Sequence, residues 1–203
     1  MLITPSAPLV LGSGSPRRRQ ILGELGIPHR VLPGDTAEEV FADESPSEYV
    51  KRVVCDKLEA VAVRLGAEPL AGVLVADTVV VLDGEVLGKP RDVSEAVRLV
   101  GRLVGRTHTV LTRYAIATAS APTLPVRVRT VSSAVTMRPA SAQEVAAYAR
   151  TGEGLDKAGA YAVQGLGSFL IERIEGSYSN VIGLPACEVV LDLRAAGLLE
   201  RFP

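Results

Sequence analysis

Val10-Leu11-Gly12-Ser13-Gly14-Ser15-Pro16-Arg17-Arg18-Arg19-Gln20-Ile21-Leu22 decides how the rest of this 203-residue chain is read. The apolar run Pro8-Leu9-Val10-Leu11 predicts a short buried strand. Gly12 to Ser15 lets the backbone turn sharply, because glycine adopts dihedrals that other residues avoid. Ser15 is placed to cap a helix, and Pro16 suits its first turn, where no amide hydrogen is needed. Three arginines then crowd that turn. A helix N-terminus favours negative charge, so three cations there are unfavourable unless an anion sits among them. The stretch predicts a strand–turn–helix that receives an anion, most simply a phosphate. A solvated basic turn is the plain alternative.

Hydrophobic residues make up 47% and charged residues 22%, a globular balance. Aromatics are only 4% and tryptophan is absent, so valine, leucine and alanine must fill the core. With 22 Lys+Arg against 23 Asp+Glu, the net charge is −1. That argues against a broad basic face for long nucleic acid, yet leaves room for a local cluster around a small anion. Cys55 and Cys187 lack CxxC or Cys/His spacing, which argues against structural zinc; each falls in a helical apolar pattern and reads as a buried thiol. There is no stretch of 18 apolar residues and no charged segment leading into a signal-like run. The expectation is a cytoplasmic protein without membrane contact.

Residues 28–32 predict a second short strand, and 34–39 an acidic loop. Ser45-Pro46-Ser47-Glu48 is a capping box, with Glu48 three residues after its serine cap. The helix behind it carries Val50, Val53, Val54, Leu58, Val61 and Leu65 at helical spacing. Lys57 lies at the margin of that stripe, so its ammonium can emerge at a core edge. Residues 72–76 are continuously apolar, the mark of a central buried strand, predicted to end at Asp77-Thr78. Asp83-Gly84 between the apolar runs 79–82 and 85–87 signals a hairpin. A helix is predicted over 94–104, paired strands over 107–118 and 126–137, and a helix behind the capping box Ser141-Ala142-Gln143-Glu144. Residues 152–167 read as a glycine-rich loop around a site, 169–174 as a strand, and a last helix starts at Leu184-Pro185. Strands alternating with helices, plus hairpins, predict an α/β fold with a mixed twisted sheet flanked by helices.

Asp77 is the most conspicuous acid, since a carboxylate at the end of an apolar strand is costly to bury unpaired. Ligands in open α/β sheets gather at strand carboxyl ends, where the opening turn also lies. If the two strands are neighbours, Asp77 faces the arginines and can hold Mg²⁺ or take a proton from an attacking water. A loop cap made by Asp-Thr hydrogen bonds is the structural alternative. Lys89, between glycine and proline, is a point charge for phosphate on a stiff turn. Glu38 and Glu39 form a candidate metal pair or a plain acidic loop. The Gln164 amide offers donor and acceptor to a base edge, or to the backbone. His29 and His108 have no partner motif and read as structural or exposed. No Ser/His/Asp or Cys/His arrangement stands out. Cations for a polyphosphate, with carboxylates for metal and water, favour hydrolysis or transfer at phosphorus.

Ser13-Gly14-Ser15-Pro16-Arg17-Arg18, Ala76-Asp77-Thr78, Gly88-Lys89-Pro90, Thr151-Gly152-Glu153, Asp156-Lys157-Ala158-Gly159-Ala160-Tyr161, Gln164-Gly165 and the run from Gly176 to Pro185 together resemble the Maf family. They appear in family order and span nearly the whole chain. The resemblance implies one domain over residues 1–203, two lobes around a deep nucleotide cleft, in an architecture related to inosine triphosphatases. It implies a nucleoside triphosphate pyrophosphatase that uses Mg²⁺ or Mn²⁺ to cleave between the α- and β-phosphates, releasing a nucleoside monophosphate and pyrophosphate. It further implies a cytoplasmic homodimer linked to cell-division arrest and to the removal of modified nucleotides. By motif, Asp77 is the proton acceptor and a metal-site acid. Arg17, Thr78 and Gln164 match positions tied to substrate choice and resemble the branch acting on dTTP and UTP. Ser13, Arg18, Lys57 and Lys89 match phosphate-binding positions, although the residues preceding Lys57 depart from the family pattern. The pair Glu38 and Glu39 matches the second metal-site acid one residue off the usual spacing, with Glu39 favoured. Arg19 matches no family role and is expected to be solvated.

Two other functions fit parts of the pattern. A nucleotidyltransferase shares the glycine-rich opening and a downstream lysine, but leaves the later motifs unexplained. A nucleotide-binding regulator of septum formation would need neither Asp77 nor the metal acids.

Overall fold

In the computed structural model, which describes residues 1–34 and 36–202, the opening stretch folds as its pattern predicts. Strand β1 (Leu9–Leu11) leads through the small-residue turn into helix α1 (Pro16–Glu24), with Ser15 as its N-cap and Pro16 in its first turn. β1 lies between two parallel partners, β2 (His29–Val31) and β3 (Gly72–Leu82). β3 then pairs antiparallel with β5 (Thr107–Thr118), β5 with β6 (Pro125–Met137), and β6 with β7 (Ile171–Glu175). The short β4 (Glu85–Leu87) folds back on β3, giving a seven-stranded mixed sheet with the main path β2-β1-β3-β5-β6-β7.

The two-residue periodicity of the strands sorts their side chains to opposite faces. Leu9, Leu11, Leu74, Ala76, Tyr114 and Ile116 pack with α1 and with Val189, Val190 and Leu193 of helix α6 (Ala186–Ala195). Val10, Val73, Val75, Ala115 and Ala117 face the other way, onto Val54, Leu58 and Val61 of helix α2 (Pro46–Arg64). Farther along β3, Val80 and Leu82 join a separate core with helices α3 (Val93–Leu103) and α4 (Ala142–Arg150). Val79 packs on Tyr49, Val50 and Val53 at the start of α2. Asp77 and Thr78 therefore sit where the core clusters on β3 meet, a seam at which side chains reach a cleft.

Both capping boxes form: Ser45 with Glu48 begins α2, and Ser141 with Glu144 begins α4. The Asp83-Gly84 hairpin forms with positive φ at both residues (54° and 82°), the twist that suits a two-residue hairpin.

The structure corrects several expectations. β3 does not end at Asp77-Thr78 but runs on to Leu82, so Asp77 lies in mid-strand opposite Arg113. The polar pair reads as a strand terminus in sequence, yet the ladder continues because Asp77 finds an ionic partner. Residues 165–170 form 3₁₀ turns, and β7 begins only at Ile171. Helix α5 (Tyr178–Ile182) has no counterpart in the sequence reading; five residues between a serine cap and Gly183 are too short to show a period. Cys55 and Cys187 are exposed, not buried, each falling beside the apolar stripe of its helix. Arg19 is exposed as expected. Among the described residues no helix is long and apolar enough to cross a membrane.

Gly12 is fixed by close approach. Its N–H donates to Leu74 O at 2.8 Å, and a Cβ there would lie 2.6 Å from both Val61 Cγ2 and Val75 Cγ1. Valine is stiff about χ1 and cannot swing clear cheaply. Gly12→Ala is expected to lower the unfolding free energy by about 1–3 kcal/mol. Adding Val61→Ala should recover part of that loss, as measured by denaturant midpoints at constant slope.

Candidate active site

The turn after β1, the middle of β3, the Gly88-Lys89 segment and the 156–164 segment line one cleft of about 830 Å³. Ser13, Arg17, Arg18, Lys57, Asp77, Thr78, Lys89 and Gln164 all line it. These residues are spread over more than 150 positions of sequence, and the β1–β3 pairing brings the opening turn beside Asp77. Glu38 also lines the cleft, whereas Glu39 does not. Glu39 is exposed, and its carbonyl accepts Arg52 Nη2 at 2.8 Å.

Lys57 is the pivot. It is 6% exposed, as is Asp77. Its Nζ donates to Asp77 Oδ1 at 2.6 Å and to Glu38 Oε1 at 2.7 Å. Glu38 Oε2 accepts Lys89 Nζ at 2.8 Å. Two carboxylates thus converge on one cation at the cleft wall, and a second lysine closes the chain. Burial raises the Glu38 pKa, but the charge and hydrogen bond of Lys57, with those of Lys89, outweigh it and pull the carboxyl down to about 2. Tyr49 Oη adds a bond to Glu38 O at 3.2 Å, tying the acidic loop to α2.

Arg18 does not point out of the helix end into solvent. It turns inward, where Nε donates to Gly183 O at 2.8 Å, Nη1 to Ser13 Oγ at 2.8 Å, and Nη2 to Thr78 Oγ1 at 3.0 Å. Burial lowers its pKa, while Asp77 and Glu38 oppose that shift. Three of its five N–H donors are engaged, which leaves two for an anion. Ser13 Oγ accepts from both Arg18 and the Ser15 N–H, so its own proton remains to be donated. Thr78 Oγ1 continues the network to Thr112 Oγ1 at 2.8 Å, and Thr112 donates to Asn180 O at 3.0 Å. Arg17 Nη1 reaches Asp156 Oδ2 at 3.1 Å, linking α1 to the segment on the other side of the cleft.

Among the described residues, the charged groups lining the cleft are five cations (Arg17, Arg18, Lys57, Lys89, Lys157) and three carboxylates (Glu38, Asp77, Asp156), an excess of two positive charges in a chain of net −1. An excess of positive charge suits such a wall to a polyanion, and Asp77 is the carboxylate buried in it. Sequence reasoning gave no role to Asp156, Thr112 or Asn180. Asp156 lies in a motif already noted, but the hydroxyl of Thr112 sits in a strand of many threonines and carries no signal.

These features define a mixed α/β protein with an anion-accepting cleft. The Maf-like protein family model matches residues 8–196, and the chain belongs to that family. The dTTP/UTP pyrophosphatase of Myxococcus xanthus (strain DK1622) is 50% identical over 94% of this chain and 93% of its own. The dTTP/UTP pyrophosphatase of Geobacter sulfurreducens is 42% identical over 94% and 97%. A weaker likeness, TM-score 0.40 at 15% identity, covers 81% of this chain and 79% of the Staphylococcus aureus Ham1 protein.

The shifted Glu38 pKa makes a stability prediction. An unfolded glutamate titrates near 4.5 and folded Glu38 near 2, so the ionised side chain favours the folded state. That contribution is complete above about pH 5 and fades as pH falls through about 2. The difference in unfolding free energy between wild type and Glu38→Gln should be flat above that pH and shrink on acidification. Urea unfolding at stepped pH measures it.

Proposed function

We propose that the protein is a nucleoside triphosphate pyrophosphatase, preferring dTTP and UTP and cleaving between the α- and β-phosphates. The observation that carries this is the convergence of Asp77, Lys57, Glu38 and Lys89 beside the Arg18 and Ser13 donors. The relatives named dTTP/UTP pyrophosphatase support the pyrimidine preference.

In this reading the triphosphate lies along Ser13, Arg18, Lys57 and Lys89. Lys89 exchanges its contact with Glu38 for a phosphate oxygen. Asp77 Oδ1 is held by Lys57, and its other oxygen makes no hydrogen bond among the described residues. That oxygen accepts a proton from a water attacking the α-phosphorus. The α–β bridging P–O bond breaks, and pyrophosphate leaves with its charge spread over the two lysines and Arg18. Arg17, Thr78 and Gln164 contact the nucleoside end and set its identity.

Glu38 and Asp77 fit a divalent cation. Their oxygens already converge on one ammonium, and one or two carboxylates completed by substrate phosphates and water are the usual protein share of a Mg²⁺ site. The described residues hold no group of three or more metal-ligating side chains, so the triphosphate must complete the shell. We assign the second acid to Glu38 and not Glu39, because Glu38 lines the cleft. When bound, the cation neutralises phosphate charge. The family resemblance also supports, as proposals, a single-domain cytoplasmic homodimer, action on modified pyrimidine nucleotides and a part in cell-division arrest.

With Mg²⁺ or Mn²⁺ and a panel of nucleoside triphosphates, UTP and dTTP should yield the monophosphate and pyrophosphate without a sugar-phosphate acceptor. Asp77→Asn should lower kcat by about 10²- to 10⁴-fold with nucleotide binding retained by calorimetry. Release of orthophosphate alone overturns the α–β cleavage. Unchanged turnover in Asp77→Asn removes Asp77 as the base, whereas nucleotide binding by the wild type without turnover of any triphosphate favours the regulator reading.

A further inference from the structure

The Thr151-Gly152-Glu153 motif has no part in the chemistry above, and Glu153 does not line the cleft. Its carboxylate instead faces the segment that does. Oε1 accepts the Leu166 N–H at 2.8 Å, and Oε2 accepts the Gly167 N–H at 2.7 Å and the Tyr148 hydroxyl at 2.9 Å. Tyr148 Oη in turn accepts the Ala162 N–H at 3.0 Å. Two side chains therefore hold the backbone on both sides of Val163-Gln164. Tyr148 is itself anchored in the α3/α4 core and only 3% exposed. An ionised acceptor with several donors makes shorter and stronger bonds than a neutral one.

The loop is fitted to this clamp. A Cβ on Gly165, whose φ is +64°, would fall 2.2 Å from Glu153 Oε1. One on Gly167 would fall 2.2 Å from Ala162 O and 2.7 Å from Tyr148 Oη. The Gln164 side chain lines the cleft but makes no hydrogen bond among the described residues. No such bond anchors it, so the place from which it reaches into the cleft is set by its backbone, which the clamp holds.

We propose that Glu153 is a positioning residue for nucleobase selection: with Tyr148 it fixes the loop that presents the Gln164 amide to the base edge. This rests on the reading of Gln164 as the group that meets the base. A pyrimidine and a purine carry their hydrogen-bonding edges at different distances from the sugar. A loop free to shift would let the amide meet either edge, whereas a fixed loop meets one and leaves the amide unpaired against the other. Rigidity of the loop is therefore part of the selectivity.

The test compares kcat/KM for UTP and ATP in Gln164→Ala, Glu153→Gln and Tyr148→Phe. The carboxamide loses one acceptor oxygen, and the phenylalanine deletes only the hydroxyl. The UTP-over-ATP ratio should fall about tenfold in Glu153→Gln and about threefold or more in Tyr148→Phe, chiefly through KM for UTP, with kcat for UTP within about threefold. In a Gln164→Ala background, Glu153→Gln should lower the ratio no further. A merely structural role would lower the melting temperature and the active fraction while both substrates declined together. If Glu153→Gln does not fold, Tyr148→Phe decides. A ratio moved by Gln164→Ala but by neither clamp variant overturns the role of Glu153 alone. A ratio unmoved by Gln164→Ala overturns Gln164 as the base reader, and the clamp proposal with it.

Discussion

A buried ammonium between two carboxylates governs this molecule. Asp77 sits in the middle of a long central strand, where an unpaired charge would cost several kcal/mol. Lys57 from α2 supplies the counter-charge, and Glu38 shares it. The pairing fixes the register of α2 against β3 at one point along the strand and draws the acidic loop over the same spot. The helix apolar stripe then packs on either side, with Val53 and Val54 before the lysine and Leu58 and Val61 after it. Burying such a triad is an expensive way to hold a helix on a sheet. Apolar residues of similar volume often do it better, so stability alone is a weak reason for the triad.

Arg18 plays a comparable role at the other wall. Its guanidinium joins the opening turn, β3 and the segment after α5 through three separate acceptors. The helix-end argument from sequence expected all three arginines to crowd an anion. In the structure they divide the work: Arg18 turns inward, Arg17 crosses to Asp156, and Arg19 stays in solvent. One motif thus supplies a structural tie, a cross-cleft contact and a solvated charge, distinctions set by rotation around the helix and not by residue type.

Most of the scaffold was legible because its signals are local. Capping boxes, an Asp-Gly turn and two-residue alternation each act within a few residues, and they placed α2, α4, the β3–β4 hairpin and the long β5–β6 pair. What was not legible depended on tertiary contacts. The extension of β3 through Asp77 required knowing that Lys57 would arrive. Which of Glu38 and Glu39 lines the cleft turned on how an irregular loop rotates its backbone, a matter with no sequence period. The exposure of Cys55 and Cys187 depended on a few tens of degrees around each helix. The candidate residues that line the cleft were singled out because their motifs occur together; singly, Lys89 or Gln164 is an ordinary loop residue.

The Asp83-Gly84 turn has a mechanical meaning. Asp77 lies on the outgoing strand of that hairpin, and Lys89 follows two residues beyond the returning one. The side chains proposed as the base for water and as a cation for phosphate are therefore carried on a single ribbon turned by a two-residue reversal. The ladder closes at Val80 and Leu87, so each side chain lies only a few residues of chain from a fixed pair. A displacement of that ribbon would carry both together, like two teeth on the same blade.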